Sequence, residues 1–124
     1  MKLHSNIKSL LIPFILAGSI ALVFADEQTD QAVVAAKTWL GLLDAKQYKE
    51  SWVEAAPFFK EKVKEEDWEK MVSAVRGPLG DMKSRELIGA QHTKNLPGAP
   101  AGEYVVMQFK TAFQNKPEAV ETVT

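Results

Sequence analysis

The stretch that decides the fold is EYVVMQFKTAF, residues 103–113. It alternates between an apolar face and a mixed face with a period of two, which is typical of a β-strand with one buried side. The apolar face consists of Val105, Met107, Phe109 and Phe113. The residues before it, LPGAPAG at 96–102, hold two prolines and two glycines and predict a turn.

Weaker strand patterns lie on both sides of this stretch. Residues 82–93 predict a strand in which Gly89 indicates a bulge or a bend. Asn115-Lys116-Pro117-Glu118 predicts a turn, and residues 119–124 begin another β-prone segment. This last strand would form an exposed edge of an antiparallel sheet. Because no terminating pattern follows it, we expect the sequence to be a fragment or a truncated reading frame.

Three helices are predicted before the sheet. Residues 31–46 carry an apolar stripe at helical spacing, made of Ala32, Ala36, Trp39, Leu40 and Leu43. A second, short helix starts at Tyr48 and is broken or restarted at Pro57. A third helix begins in the charged residues 60–70, and its predicted stripe is Trp68, Met71, Val72, Val75 and Leu79. Helices followed by strands predict an α+β domain.

The first 25 residues have the pattern of an export signal. Lys2 and Lys8 precede an apolar segment at 10–16, and Val23-Phe24-Ala25 fits a signal peptidase site. We therefore predict cleavage after Ala25, a mature domain at 26–124, and a periplasmic or secreted protein. The alternative is an uncleaved anchor, because residues 9–25 reach the short limit of about 17 residues for crossing a bilayer. Contact with a membrane is expected only through this segment.

Composition and charge exclude several classes of function. The chain has 124 residues, of which 46% are hydrophobic and 25% charged, as in ordinary globular domains. Its formal charge is −1, and loss of Lys2 and Lys8 with the leader makes it −3. A chain with this net charge lacks the basic surface that nucleic-acid binding requires, so no nucleic-acid partner is predicted. The absence of cysteine excludes disulfides and thiolate catalysis.

Several short motifs in order resemble one family. They are Trp39-Leu40, Leu43-Asp44, Tyr48, Ser51-Trp52, Trp68, Arg76-Gly77-Pro78-Leu79-Gly80, Ser84-Arg85, Leu96-Pro97-Gly98-Ala99-Pro100, Gly102-Glu103-Tyr104 and Glu121-Thr122-Val123. Over residues 32–124 the chain resembles the DUF4019 family, exported bacterial proteins of unknown function. The resemblance implies an NTF2-like (cystatin-like) fold, in which helices pack in the concavity of a curved antiparallel sheet. It also implies further strands after Thr124, and it transfers no activity.

Arg76 and Arg85 are the most suggestive pair for chemistry. Both are placed to point toward the interface between helix and sheet, and guanidinium groups match carboxylates or phosphates. They are therefore candidate residues for binding an anionic ligand. The alternative is an internal ion pair with Glu86, Glu103 or Glu121.

The aromatic residues of the helices are the second candidate group. Tyr48 and Trp52, with Trp39 and Trp68, would line an apolar pocket or simply form the core. Asp44 beside Tyr48 is interpreted as a helix cap or a surface acid. His92 is the one histidine after residue 25, so it is interpreted as an exposed strand-end residue rather than a general base. No metal site, cofactor or catalytic residue is predicted.

These observations predict a non-enzymatic exported module. It would bind a small apolar or anionic ligand, or pair with a protein partner, including a homodimer through the sheet. The alternative is a small NTF2-like enzyme of the isomerase or dehydratase type that uses a cone-shaped pocket. A third alternative is a non-functional remnant.

Overall fold

The computed structural model describes residues 14–15 and 27–124. Its elements in chain order are β1 (Phe14–Ile15), α1 (Glu27–Asp44), α2 (Tyr48–Val53), α3 (Pro57–Lys62), α4 (Glu65–Leu79), β2 (Met82–Thr93), β3 (Tyr104–Phe113) and β4 (Lys116–Val123). Within residues 27–124, four helices precede three long antiparallel strands, so the predicted α+β class is confirmed. The predicted cleavage site and most of the predicted leader lie outside the described residues.

Strand β3 is the centre of the sheet, whose strand order is β1-β4-β3-β2. It pairs antiparallel with β2 on one side and with β4 on the other. The predicted apolar face of β3 is buried throughout, and Met107 and Phe109 have no exposed surface. The alternation in the sequence therefore identified both the central strand and its inward face.

The pairing of the strands is irregular within β2 and at the start of β4. The register of β2 against β3 shifts between Leu87 and Gly89, which confirms the bulge predicted at Gly89. A turn includes Asn115 as predicted, but it comprises Gln114-Asn115 and does not extend to Glu118, because β4 already begins at Lys116. Pro117 is tolerated inside β4 because the register shifts there, so no ladder hydrogen bond depends on its missing N–H.

The helical segment after α1 is divided in two. Pro57 occupies the first turn of α3, and Ala56 before it is extended, with φ −62° and ψ 146°. A residue before proline is disfavoured in the helical region, so the chain restarts rather than continues. Ser51 on α2 is fully buried and accepts hydrogen bonds from two tryptophans.

The buried stripe of α4 differs from the predicted one. Trp68, Val72 and Arg76 are buried, at a spacing of four residues. Met71 and Val75, which the prediction placed inside, are 49% and 47% exposed. A charged residue therefore takes the inner position at the end of this helix. Among the described residues, none of the helices is both long and apolar enough to cross a membrane.

Two glycines give opposite predictions for stability. A Cβ atom at Gly41, in the interior of α1, would meet no heavy atom within 4 Å. Gly41→Ala should therefore raise the free energy of unfolding by about 0.5–1 kcal/mol, since alanine restricts the unfolded chain and favours the helix. Chemical denaturation monitored by circular dichroism measures this change.

Gly80 is the matched control. It has a φ of +76°, and a Cβ atom there would lie 2.9 Å from the Cβ of Gln114. Gly80→Ala should lower the free energy of unfolding by about 1 kcal/mol or more. Equal effects of the two substitutions would contradict the packing described at these positions.

Candidate functional site

A cluster of four charged side chains lies between the helices and the sheet. Arg85 on β2 donates to Asp44 at the end of α1 through Nη1 (2.7 Å to Oδ2) and Nη2 (3.0 Å to Oδ1). Its Nε and Nη2 also donate to Glu121 on β4, at 2.8 Å from Oε1 and 3.2 Å from Oε2. One guanidinium thus joins a helix and two strands by two forked contacts.

Arg76 completes this cluster from α4. Its Nη2 donates to Asp44 Oδ1 at 2.6 Å, and its Nη1 lies 4.0 Å from Glu121 Oε2. The guanidinium also lies over the ring of Phe113, with Cζ 5.0 Å from the ring centroid. Nε and Nη1 of Arg76 are buried and have no hydrogen-bond partner among the described residues.

The cluster is buried and electrically balanced. The side chains of Arg76, Arg85 and Glu121 are 7%, 8% and 2% exposed, and that of Asp44 is 19% exposed. Two guanidinium groups face two carboxylates, so the charges cancel. The hydroxyl of Thr111 on β3 donates to Glu121 Oε1 at 2.6 Å. Such partners are what a buried carboxylate requires.

The surroundings shift the pKa values of Asp44 and Arg85. Burial alone would raise the pKa of Asp44, but the hydrogen bonds and charges of Arg85 and Arg76 outweigh burial and lower that pKa. Burial likewise acts to lower the pKa of Arg85, yet its bonds to Asp44 and Glu121 raise it. Both groups therefore stay charged near neutral pH.

The ligand-binding role of Arg76 and Arg85 stays a prediction, and the ion pairs agree with the alternative to it. The structure brings Arg76 and Arg85 together, and Glu121 is one of the three acids named as an alternative partner. Glu86 and Glu103 form no ion pair with either arginine among the described residues. Asp44 was interpreted as a cap or surface acid, which is wrong because both of its oxygens bind arginine.

A signal for Asp44 was nevertheless present in the sequence. An acid in the last turn of a helix faces the negative end of the helix dipole, and α1 has no basic residue there. Such a carboxylate needs a cation from another element. The sequence does not show which arginines supply this cation, because the topology of the fold decides which residues come close to Asp44.

The aromatic candidates form a separate cluster. Trp52 on α2 donates its indole N–H to the carbonyl of Val63 at 2.8 Å, and the Tyr48 carbonyl accepts from Ser51 Oγ. The rings of Trp39 and Trp68 lie 6.1 Å apart, and Phe59 meets Trp68 edge-on at 5.2 Å. Tyr48 and Trp52 are only partly buried and pack against this core.

The outer edge of β4 is a site that sequence reasoning identified only as an exposed edge. Strand β1 pairs antiparallel with it, with Phe14 opposite Thr122 and Ile15 opposite Glu121. The same residues of β4 pair on their other side with Gln108 and Phe109 of β3. This part of β4 is therefore flanked by strands on both sides.

The loop between β2 and β3 borders a shallow pocket. It is lined by residues of 94–101, including Leu96, Pro97 and Pro100. Pro97-Gly98 forms its turn, with Gly98 at φ +79° and Ala99 N–H donating to the carbonyl of Leu96 at 3.1 Å. This confirms the predicted turn.

His92 is partly enclosed and lies close to one acid. His92 lies near the end of β2, is 28% exposed, and has its Nε2 3.7 Å from Glu103 Oε1. It is thus more enclosed than the predicted exposed strand-end residue. Within residues 14–15 and 27–124, no group of three or more histidines and acids is placed to hold a metal ion.

Removal of Arg85 tests whether the cluster stabilises the fold. Arg85→Met would leave Glu121 and Asp44 buried without their main partner, and we expect the free energy of unfolding to fall by about 3–5 kcal/mol. Lys83→Met, at an exposed position of the same strand, is the control and should change it by less than about 0.5 kcal/mol. Similar small losses in both variants would argue against a structural role.

The lowered pKa of Asp44 predicts a dependence of stability on pH. Because the folded pKa lies below the ordinary value of 3.8, Asp44 stabilises the fold above that value. This contribution is lost as the pH falls through the folded pKa. Urea denaturation from pH 6 to pH 2 should therefore give a steeper loss below about pH 4 in the unmodified protein than in D44N. Parallel curves for the two proteins would contradict this assignment.

Comparison with known proteins gives one match. The family model described as "Protein of unknown function (DUF4019)" matches residues 35–124. No match was found among the curated proteins or among the solved structures. The matched region contains all four charged residues of the cluster, α2 to α4, and the strands β2 to β4. The chain therefore belongs to the DUF4019 family.

Proposed function

We propose that the protein is an exported, non-enzymatic interaction module that binds an extended polypeptide segment along the outer edge of β4. The observation that carries this proposal is the antiparallel pairing of Phe14–Ile15 with Glu121 and Thr122. An edge that accepts one added strand in register offers its main-chain groups to others.

The two outer edges of the long-stranded sheet differ in a way that favours β4. Strand β2 has two register shifts, and its exposed residues include Lys83 and Glu86. Bulges and edge charges are the usual means of blocking strand addition. In β4 the irregularity is confined to the start around Lys116, and residues 119–123 pair regularly with β3.

Side-chain contacts on the core-facing side of β4 keep its outer edge ordered before a partner strand binds. Glu121 is held by Arg85 and Thr111, and Val123 and Ala119 are buried. A partner strand would therefore meet a strand that is already ordered on one side. Binding to an ordered edge loses less conformational entropy than binding to a flexible segment.

The enzyme alternative, an isomerase or dehydratase of the NTF2-like type, has weaker support. General base catalysis in such a pocket needs a carboxylate free to take a proton. Asp44 and Glu121 both accept hydrogen bonds from Arg85 instead, and the lowered pKa makes Asp44 a weak base. These contacts favour a structural role for the cluster.

A small-ligand function also has weaker support. An anion at Arg76 and Arg85 would have to compete with Asp44 and Glu121, which already neutralise both guanidinium groups. An apolar ligand between the helices would have to displace packed rings, because Trp39, Trp68 and Phe59 contact one another.

A second copy of this chain is the partner that we test. In a two-fold antiparallel pairing of β4 with itself, residues facing the same side of the sheet must lie opposite each other. Centring the pair on Val120 places Ala119 opposite the partner's Glu121 and Glu118 opposite the partner's Thr122. No two like charges then face each other directly across the strands.

A charge on this edge should abolish the interaction without affecting the fold. Val120 is half-buried and faces away from Glu121, so Val120→Lys adds an edge lysine outside the core. Protein purified from the periplasm should be dimeric by native mass spectrometry, and the Val120→Lys protein should be monomeric with unchanged circular dichroism. The control Gln91→Lys, at an exposed position of the opposite edge strand, should remain dimeric.

Two results would contradict self-pairing, and a third would contradict the choice of edge. Equal loss of the dimer in both lysine variants would point to a general charge effect. If the unmodified protein is monomeric, self-pairing is excluded. Photo-crosslinking in cells, from a photoreactive residue at position 120, then tests for a different protein partner. Adducts from position 91 but not from position 120 would overturn the proposed edge.

A further inference from the structure

We infer that residues 14–15, within the predicted leader, are an intramolecular competitor that occupies the β4 edge until the leader is removed. This inference rests on the proposed function, because it concerns access to the same edge. It adds a regulatory step: the uncleaved chain covers the edge, and maturation exposes it.

The geometry makes the two occupants mutually exclusive. Phe14 and Ile15 lie opposite Thr122 and Glu121. In self-pairing centred on Val120, the same two residues of β4 would face Glu118 and Ala119 of the partner strand. One edge of a strand has only one set of outward main-chain groups. A chain with β1 in place therefore cannot accept a second strand there.

The position of the predicted cleavage site explains how such a short strand can compete. Strand β1 ends at Ile15 and α1 begins at Glu27, so cleavage after Ala25 cuts the connection between them. A short tether gives an effective concentration in the millimolar range. Two paired residues can compete while tethered, but they lose this advantage once the chain is cut.

Disulfide trapping tests the pairing directly, because the natural chain has no cysteine. Opposite residues of antiparallel strands have Cα atoms about 4.5–5.5 Å apart, within the range that a disulfide spans. In the full chain 1–124, translated in vitro without signal peptidase, F14C/T122C should form an intramolecular disulfide under mild oxidation. Non-reducing electrophoresis after proteolysis between the two positions detects it.

The matched control uses the opposite edge of the sheet. In F14C/Q91C the second cysteine lies on β2, three strand spacings or about 14 Å from β1. We expect at least tenfold less disulfide in this variant. Equal yields in the two variants would overturn the pairing, because random encounters of the leader would then explain both.

A capture experiment separates failure of this inference from failure of the proposed function. The probe is labelled protein purified from the periplasm. The oxidised F14C/T122C chain should capture at least tenfold less probe than unlabelled periplasmic protein does. Equal capture by the oxidised chain would overturn the competition alone. Specific trapping of the disulfide with no capture by any form would instead overturn self-association as the function, and the competition with it.

Discussion

The forked contact of Arg85 with Asp44 and Glu121 is the interaction on which the rest of the structure depends. It joins the end of α1 to β2 and β4, and Arg76 adds the end of α4 through Asp44. Burying four charges is expensive in free energy unless each finds a partner, and here the charges cancel. Each member is therefore needed by the others, and the cluster fixes how the ends of α1 and α4 sit on the sheet.

The same cluster connects the core with the edge of the sheet. Glu121 reaches inward to Arg85 and Thr111, while its main chain lies opposite Ile15 on the outer side. The contacts that hold the Glu121 side chain therefore also order the main chain of β4 at this residue, which a partner strand would meet. In the proposed interaction, the charged residues support recognition indirectly by holding β4 in place, and main-chain amides and carbonyls are the recognising groups. This division explains why a neutralised arginine pair is compatible with a binding function.

The sequence predicted the local features and missed those that depend on contacts between distant residues. The period of two in 103–113 identified the central strand, and Gly89 and Pro57 marked a bulge and a helix restart, because these are local backbone effects. The inner face of α4 was predicted wrongly, since an apolar pattern cannot show that Arg76 replaces Val75 as a buried residue. Asp44 was likewise missed, because its partners are 32 and 41 positions away in the chain.

Strand addition also explains how the short segment at residues 14–15 can pair with the folded domain. The predicted export signal at residues 1–25 needs apolar residues rather than a surface fitted to β4. Main-chain hydrogen bonding places little demand on side chains, so an apolar extended segment suffices as an occupant. In the proposed function, selectivity at the β4 edge comes from the tether before the predicted cleavage and from the side chains that flank the edge afterwards. Glu118 and Val120 face the same side of β4 and lie beside any partner strand, so these two positions are the ones that would distinguish one partner from another.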